Sequence, residues 1–177
     1  LLAVTLISLV WALADIPSFE ELENPDSNLA TQVIADDGST ILSTFHIENR
    51  SYVTYDELSP NLVHAAVATE DVRYYTHSGI DFKSLGRVIF KTLLGGDSSQ
   101  GGGSTITQQL AKTLYPREDM GGSKLKMVWT KLKEWVTAVK LERSYTKDEI
   151  MNMYMNQVFF GSNAYGIKAA AQTFFGK

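Results

Sequence analysis

The sequence predicts a mainly α-helical domain with a small β hairpin, joined at its N-terminus to the remnant of a transmembrane helix. Beyond Pro60, apolar residues recur at three- and four-residue spacing almost to the end of the chain. Two short β-rich runs flank Asp37-Gly38, a dipeptide whose tolerance of positive φ suits a tight turn. The first 14 residues carry no charge and only Thr5 and Ser8 as polar side chains. Over 177 residues, 44% hydrophobic and 20% charged positions give a globular composition, which excludes a disordered or collagenous chain.

The elements follow in order. A helix needs about 20 residues to cross hydrocarbon, and the chain begins with Leu, so Leu1 to Ala14 is expected to be the outer part of a transmembrane anchor whose upstream residues are missing. Ala12-Leu13-Ala14 also has the small-x-small form of a signal-peptide cleavage site, and either segment implies export. The anchor is preferred because Asp15 onward continues without an obvious linker. Residues 15–59 are expected to hold an acidic, proline-bearing membrane-exit segment and the hairpin, with strands over Thr31 to Ala35 and Thr40 to Ile47. Ser59-Pro60, an N-cap before proline at the first helical position, opens the domain expected over 60–177. Asp81 can cap a helix whose Phe82, Leu85, Val88, Ile89 and Phe90 share one face, and another helix starts at Ser104 or Thr105. A third has Leu125, Val128, Leu132, Trp135 and Val139 as its apolar stripe, and Thr146 to Glu149 is a capping box that opens a fourth.

Composition narrows the chemistry. With no cysteine there is neither a disulfide framework nor thiol chemistry, and His46, His64 and His77 form no close pair and no HExxH helix, which argues against a zinc enzyme. The net charge of −4 leaves no nucleic-acid footprint in the total. The distribution is uneven, however. Residues 15–60 set ten acids against Arg50 alone, whereas 61–177 set 15 bases against ten acids. Lys124 to Lys147 holds seven bases and only Glu134 and Glu142, a concentration that an anionic ligand could use. On charge alone, a solvated helix face is the simpler account.

Three constellations could carry chemistry. In the first, Glu70-Asp71 sit as adjacent carboxylates near a helix end, where like-charge repulsion and the helix dipole both work against ionisation, the setting a general base near neutrality needs. A surface pair neutralised by Arg73 is the plainer reading of those two residues alone. Asp81 reads more simply as an N-cap and His77 as a hydrogen-bonded structural histidine. In the second, five glycines between Gly95 and Gly103 lead into Ser104-Thr105-Ile106-Thr107-Gln108-Gln109 and Lys112, where Thr105 and Gln108 have capping-box spacing and free N–H groups can meet an anion. No P-loop is present, because Lys112 follows the glycines by nine residues. A flexible connector with an ordinary cap fits the same stretch. In the third, Lys124, Lys131 and Glu134 are expected on the face opposite the Leu125/Leu132/Trp135 stripe, either to handle a cation or nucleophile or as an exposed intrahelical ion pair.

The order and wording of these stretches resemble the peptidoglycan glycosyltransferase family, the polymerase module of class A penicillin-binding proteins. That family's Glu-Asp-x-x-Phe-x-x-His-x-Gly motif is Glu70 to Gly79 here, with Tyr74 for Phe. Gly-Gly-Ser-Thr-Ile-Thr-Gln-Gln followed by Lys is Gly102 to Gln109 with Lys112. Arg-Lys-x-x-Glu is Thr130 to Glu134, with threonine at the arginine position. Ile150 to Asn156 and Ala164 to Lys177 resemble the fourth and fifth motifs, so the resemblance covers 60–177 and the domain is expected to be incomplete at its C-terminus.

The resemblance implies a lysozyme-like fold on the outer face of the cytoplasmic membrane, held by a single pass. It implies polymerisation of lipid II into β-1,4 glycan strands with inversion at the anomeric carbon and release of undecaprenyl diphosphate. Glu70 is then the general base. Lys112, Lys131 and Arg117 hold the diphosphate, and Glu134 assists leaving-group departure or holds a divalent cation, magnesium or manganese. Asp71, His77, Ser104, Thr105, Gln108 and Gln109 join the substrate-binding set. Expected partners are lipid II, the growing strand, the membrane and cell-wall synthesis proteins, with no nucleic acid. Thr130 removes a bidentate donor that Lys133 replaces only as a point charge. A glycan-cleaving hydrolase or lytic transglycosylase and a non-catalytic cell-wall scaffold remain the rival functions.

Overall fold

The structure, a computed structural model, describes residues 31–37, 41–45, 49–95, 102–114 and 124–176. The expected anchor (1–14), the acidic exit segment (15–30), residues 96–101 of the glycine-rich stretch and Arg117 lie outside the described residues. Strands β1 (Thr31–Ile34) and β2 (Ile41–Phe45) pair antiparallel, with Thr31 opposite Phe45 and Val33 opposite Ser43, as the hairpin signal predicts. The short β3 (Asn49–Arg50) pairs in parallel with β4 (Ala164–Tyr165), which ties the start of the domain to its far end.

Helices α1 (Pro60–Glu70), α2 (Phe82–Gly95), α3 (Ile106–Leu114), α4 (Lys124–Ser144), α5 (Lys147–Gln157) and α6 (Ile167–Phe175) make the domain mainly helical. Ser59 stands at the N-cap of α1 with proline at its first turn. Asp81 caps α2 by accepting the backbone N–H groups of Lys83 and Ser84 at 3.0 Å each. Both halves of the Thr146–Glu149 capping box are made at the start of α5. Among the described residues, no helix is long and apolar enough to cross a membrane.

Helix α3 is the central element, packed against both α4 and α5. Ile106 and Leu110 meet Leu141, Ile150, Met151 and Met155 in one buried cluster, and each such side chain contributes about 1.5–3 kcal/mol of hydrophobic stabilisation. Tyr74 is fully buried in the same cluster, and its hydroxyl donates to the Lys147 carbonyl at 2.6 Å. Asn156 clasps the strand side: it accepts the Val53 N–H and donates to the Val53 carbonyl, both at 2.9 Å. Gly79 adopts φ +89°, and a Cβ there would lie 2.9 Å from the carbonyl carbon and oxygen of Ala138, so the loop after α1 presses directly on the α4 backbone.

Two helix faces differ from the sequence reading. On α4, the buried positions are Glu134, Val136, Thr137, Ala138 and Leu141, while Val128 is exposed and Leu132, Trp135 and Val139 are only half-buried. Glu134 therefore lies inward and not on an exposed opposite face, because the helix turns a partly polar side toward α3 and the cleft described below. On α2, Phe82 and Phe90 stand exposed, so the predicted apolar face is not a core face along its whole length.

Candidate active site

A cleft of about 520 Å³ opens where the end of α1, the first turns of α2, the lead into α3 and the middle of α4 converge. Of the residues singled out in the sequence, it brings together Glu70, Asp71, Ser104, Thr105, Gln108, Gln109, Lys112, Lys131 and Glu134. His77 is not brought to its lining. Arg117 lies outside the described residues.

Glu70 and Asp71 part company at the helix end. Asp71 takes φ −156° at the C-cap of α1, which breaks the helix and turns its carboxylate inward. There, only 6% exposed, it accepts from His77 Nε2 at 2.9 and 3.1 Å and from the Ile106 N–H at 3.1 Å, at the first residue of α3. His77 Nδ1 in turn accepts the Gly79 N–H at 3.2 Å, which assigns the ring hydrogen to Nε2. His77 is thus the hydrogen-bonded structural histidine of the plainer reading. Asp71 borders the cleft, but its carboxylate is engaged in joining the loop to α3.

Glu70 remains exposed in the cleft, and its Oε2 accepts from Gln109 Nε2 at 2.9 Å. Arg73 does not neutralise this pair. It reaches Asp81 at 2.7 Å and the Ser84 hydroxyl at 2.8 Å instead. Burial of Asp81 alone would raise its pKa, but the Ser84 N–H and the Arg73 guanidinium outweigh that and lower it from 3.8 to about 2.

The opposite wall carries the cationic groups. Lys131 Nζ donates to Glu134 Oε2 at 2.7 Å and to the Ser104 hydroxyl at 3.1 Å, so one ammonium links α4 to the lead into α3. Glu134 is 6% exposed, and the ammonium supplies the opposite charge that a buried carboxylate needs. Lys112 lies further along α3, exposed at the cleft edge. Thr105 caps α3 by accepting the Gln108 N–H at 3.1 Å, and its own hydroxyl donates to the Gly79 carbonyl at 2.7 Å. Gln108 is 2% exposed, and its Oε1 finds no partner among the described residues. A buried carbonyl oxygen of this kind calls for a donor from water or ligand.

Two residues of the site went unnoticed in the sequence. Arg87 lines the cleft from α2, where no motif marks it. Tyr154, only 6% exposed on α5, donates its hydroxyl to Gln109 Oε1 at 3.3 Å. Burial first, and then the charge of Glu70, push its phenol up to about 12. The motif resemblance passes through Tyr154 but attaches no chemistry to it.

The donor set offers little to a resident metal. Among the described residues, no three His, Asp or Glu side chains come together to hold an ion, and the Lys131 ammonium already sits on Glu134. Such a site fits only a cation that brings most of its own ligands, as magnesium does when it arrives on phosphates and retains water.

The profile of the Transglycosylase family matches residues 37–177. The chain is 40% identical over 148 residues to penicillin-binding protein 1F of Bacillus subtilis, a match that covers 84% of this chain and 20% of the relative. It is 37% identical over 172 residues to penicillin-binding protein 1A of Aquifex aeolicus, covering 97% and 23%. With penicillin-binding protein 1A of Escherichia coli the identity is 36% over 162 residues, covering 92% and 18%. The chain thus spans about a fifth of the length of these curated relatives.

Proposed function

The chain belongs to the transglycosylase family, and from that premise we propose that it is a peptidoglycan glycosyltransferase that polymerises lipid II into β-1,4 glycan strands and releases undecaprenyl diphosphate. The observation that carries this reading is the meeting of one exposed carboxylate, Glu70, with Lys112 and Lys131 in a single cleft. A base and an anion-binding wall in one site suit transfer of a sugar from a diphosphate leaving group.

In this mechanism Glu70 takes the proton of the acceptor sugar's hydroxyl as its oxygen attacks the anomeric carbon. The new C–O bond forms on the face opposite the breaking bond to the diphosphate, so the configuration inverts. The diphosphate leaves with the electron pair, and Lys112 and Lys131 stabilise the charge that grows on it, favouring the transition state over the ground state. Glu134 holds the Lys131 ammonium toward Ser104, which supports a role in leaving-group departure. Gln108 offers its unpartnered carbonyl oxygen to a donor on the substrate. Glu134 would be the residue to hold a magnesium or manganese ion, which would supply neutralisation of phosphate charge.

The fold is proposed to be lysozyme-like over 60–177, with residues 15–59 as exit segment and hairpin and 1–14 as the end of a single membrane pass. This arrangement puts the cleft outside the cytoplasmic membrane. A polyprenyl tail left in the bilayer need not be extracted, which would otherwise cost about 0.8 kcal/mol for each methylene exposed. Incubation of the full-length protein with labelled lipid II tests the reading. A polymeric product supports it. Cleavage of preformed glycan would indicate a hydrolase or lytic enzyme instead, and neither product would indicate a scaffold.

A further inference from the structure

Glu70 does not reach into the cleft unassisted. Its Oε2 is held by the Gln109 amide nitrogen, and the carbonyl oxygen of the same amide is held by the Tyr154 hydroxyl. A glutamine amide can present either end to a neighbour, and only the N–H end suits a carboxylate. What decides the orientation is a donor at the other end, because a phenol facing the NH₂ group would have to accept. Tyr154 is 6% exposed, so its hydroxyl has little access to bulk water, and the acceptor that the structure gives it is Gln109 Oε1. The three residues come from α1, α3 and α5, and Glu70 and Tyr154 lie at the two ends of the chain of bonds.

We propose that Tyr154 is a positioning residue for the reaction, acting through Gln109 to fix the rotamer of Glu70 and leave Oε1 as the oxygen that takes the acceptor proton. The proposal rests on the reading of Glu70 as general base. Gln109 accordingly serves the base and is not primarily a sugar ligand. The bond from Tyr154 is long for an O–H donor, as catalytic hydrogen bonds often are before substrate tightens them. Without it the amide can turn its carbonyl toward Glu70. That orientation repels the ionised carboxylate and removes the donor that favours it.

The other charged groups facing this carboxylate are not altered by a change at Tyr154. Asp71 follows it at the C-cap of α1, and Asp81 and Arg87 from α2 and its cap, Lys112 from α3, and Lys131 and Glu134 from α4 line the same cleft. A shift in the pH profile on removing one phenolic oxygen would therefore report on the Gln109 contact.

The test is a double-mutant cycle in the full-length protein with labelled lipid II as substrate. For Tyr154→Phe, kcat is expected to fall about tenfold with KM within about twofold, less than the roughly 10²–10⁴ that the general base itself contributes, because the base is loosened and not removed. The acidic limb of kcat/KM should move to higher pH, because a donor to the charged form is lost. Gln109→Met, of similar volume but without either hydrogen-bonding end, should show the same loss. Adding Tyr154→Phe to Gln109→Met should then change nothing further, because the two act as one unit. Additive losses, or a Tyr154→Phe enzyme with wild-type kcat and pH profile, would overturn the proposal. If Tyr154→Phe lowered Tm substantially, the cycle would use Tyr154→Met beside Gln109→Met, with the same non-additivity required. Glu70→Gln run in parallel separates the two ideas: substantial activity there removes the base itself, whereas an inactive Glu70→Gln with an unaffected Tyr154→Phe removes only the positioning role.

Discussion

Arg73 and Asp81 close a 2.7 Å ion pair at the start of α2, with the Asp81 side chain 7% exposed and the Arg73 side chain 33% exposed. The carboxylate also caps the helix through the N–H groups of Lys83 and Ser84. Because these contacts lower its pKa from 3.8 to about 2, the folded protein holds the charged form more tightly than the unfolded chain does. The resulting stability is fully present above about pH 4 and is lost as pH falls through about 2. After allowance for screening, this contribution is on the order of 1–2 kcal/mol. Asp81→Asn should melt lower than wild type at neutral pH, and the gap should close between pH 4 and pH 2. Parallel melting curves over that interval would count against this account of the cap.

Glu70→Gln should abolish polymerisation of lipid II by the full-length protein while leaving helicity and Tm nearly unchanged. Its carboxylate is exposed and its one described hydrogen bond is to the Gln109 amide, so the substitution removes little that holds the fold together. Loss of a general base commonly costs about 10²–10⁴ in rate. Asp71→Asn should differ in kind. The buried carboxylate accepts from both His77 and the Ile106 N–H, so its replacement should lower Tm as well as turnover. A Glu70→Gln enzyme that kept most of its rate would remove Glu70 from the base role.

Local chemistry was legible in the sequence, and contacts between distant segments were not. The Thr146–Glu149 box, the Asp81 cap and the Ser59-Pro60 start involve residues within a turn of each other, and the structure forms all three. The hairpin around Asp37 follows for the same reason. Pairing of β3 with β4 joins Asn49 to Ala164 through strands of two residues, too short to show a period. On α4, Leu125, Val128, Leu132, Trp135 and Val139 outline an apolar stripe, yet Glu134 and Thr137 occupy buried positions, Glu134 because it lines a polar cleft. Hydrophobic periodicity misreads a helix of this kind. The link from Gln109 to Glu70 spans 39 residues and the one to Tyr154 spans 45, so only folding reveals that they meet.

Lys131→Ala and Glu134→Gln should both reduce turnover, through unequal routes. Removing Lys131 leaves a carboxylate that is 6% exposed without the ammonium now 2.7 Å away, and broken buried pairs commonly cost about 3–5 kcal/mol. Since the lysine side chain is itself 36% exposed, about half that loss is expected here, visible as a lower Tm. Glu134→Gln keeps the volume and an acceptor, so its Tm should change less while its magnesium or manganese response changes more. Titration with a chelator decides the cation role. Wild-type activity untouched by chelation would end it, and the diphosphate-binding role of Lys131 would stand apart from that result.

The last prediction concerns the backbone that supports the site. Gly79 combines φ +89° with a position where a Cβ would sit 2.9 Å from the carbonyl carbon and oxygen of Ala138, backbone atoms that cannot swing away as a side chain does. Alanine therefore meets two penalties, the left-handed conformation at roughly 1–2 kcal/mol and overpacking at about 1–3 kcal/mol. Gly79→Ala should lower Tm by about 5–15 °C. The Gly79 carbonyl accepts the Thr105 hydroxyl at 2.7 Å, and Thr105 caps α3, so the displacement should reach the helix that carries Gln108, Gln109 and Lys112 and should depress kcat as well. Gly86→Ala is the matched control, because a Cβ there meets nothing within 4 Å inside α2 and should stabilise that helix by about 0.5–1 kcal/mol. If Gly79→Ala melted with wild type, the close approach of this loop to α4 would have to be relaxed in solution.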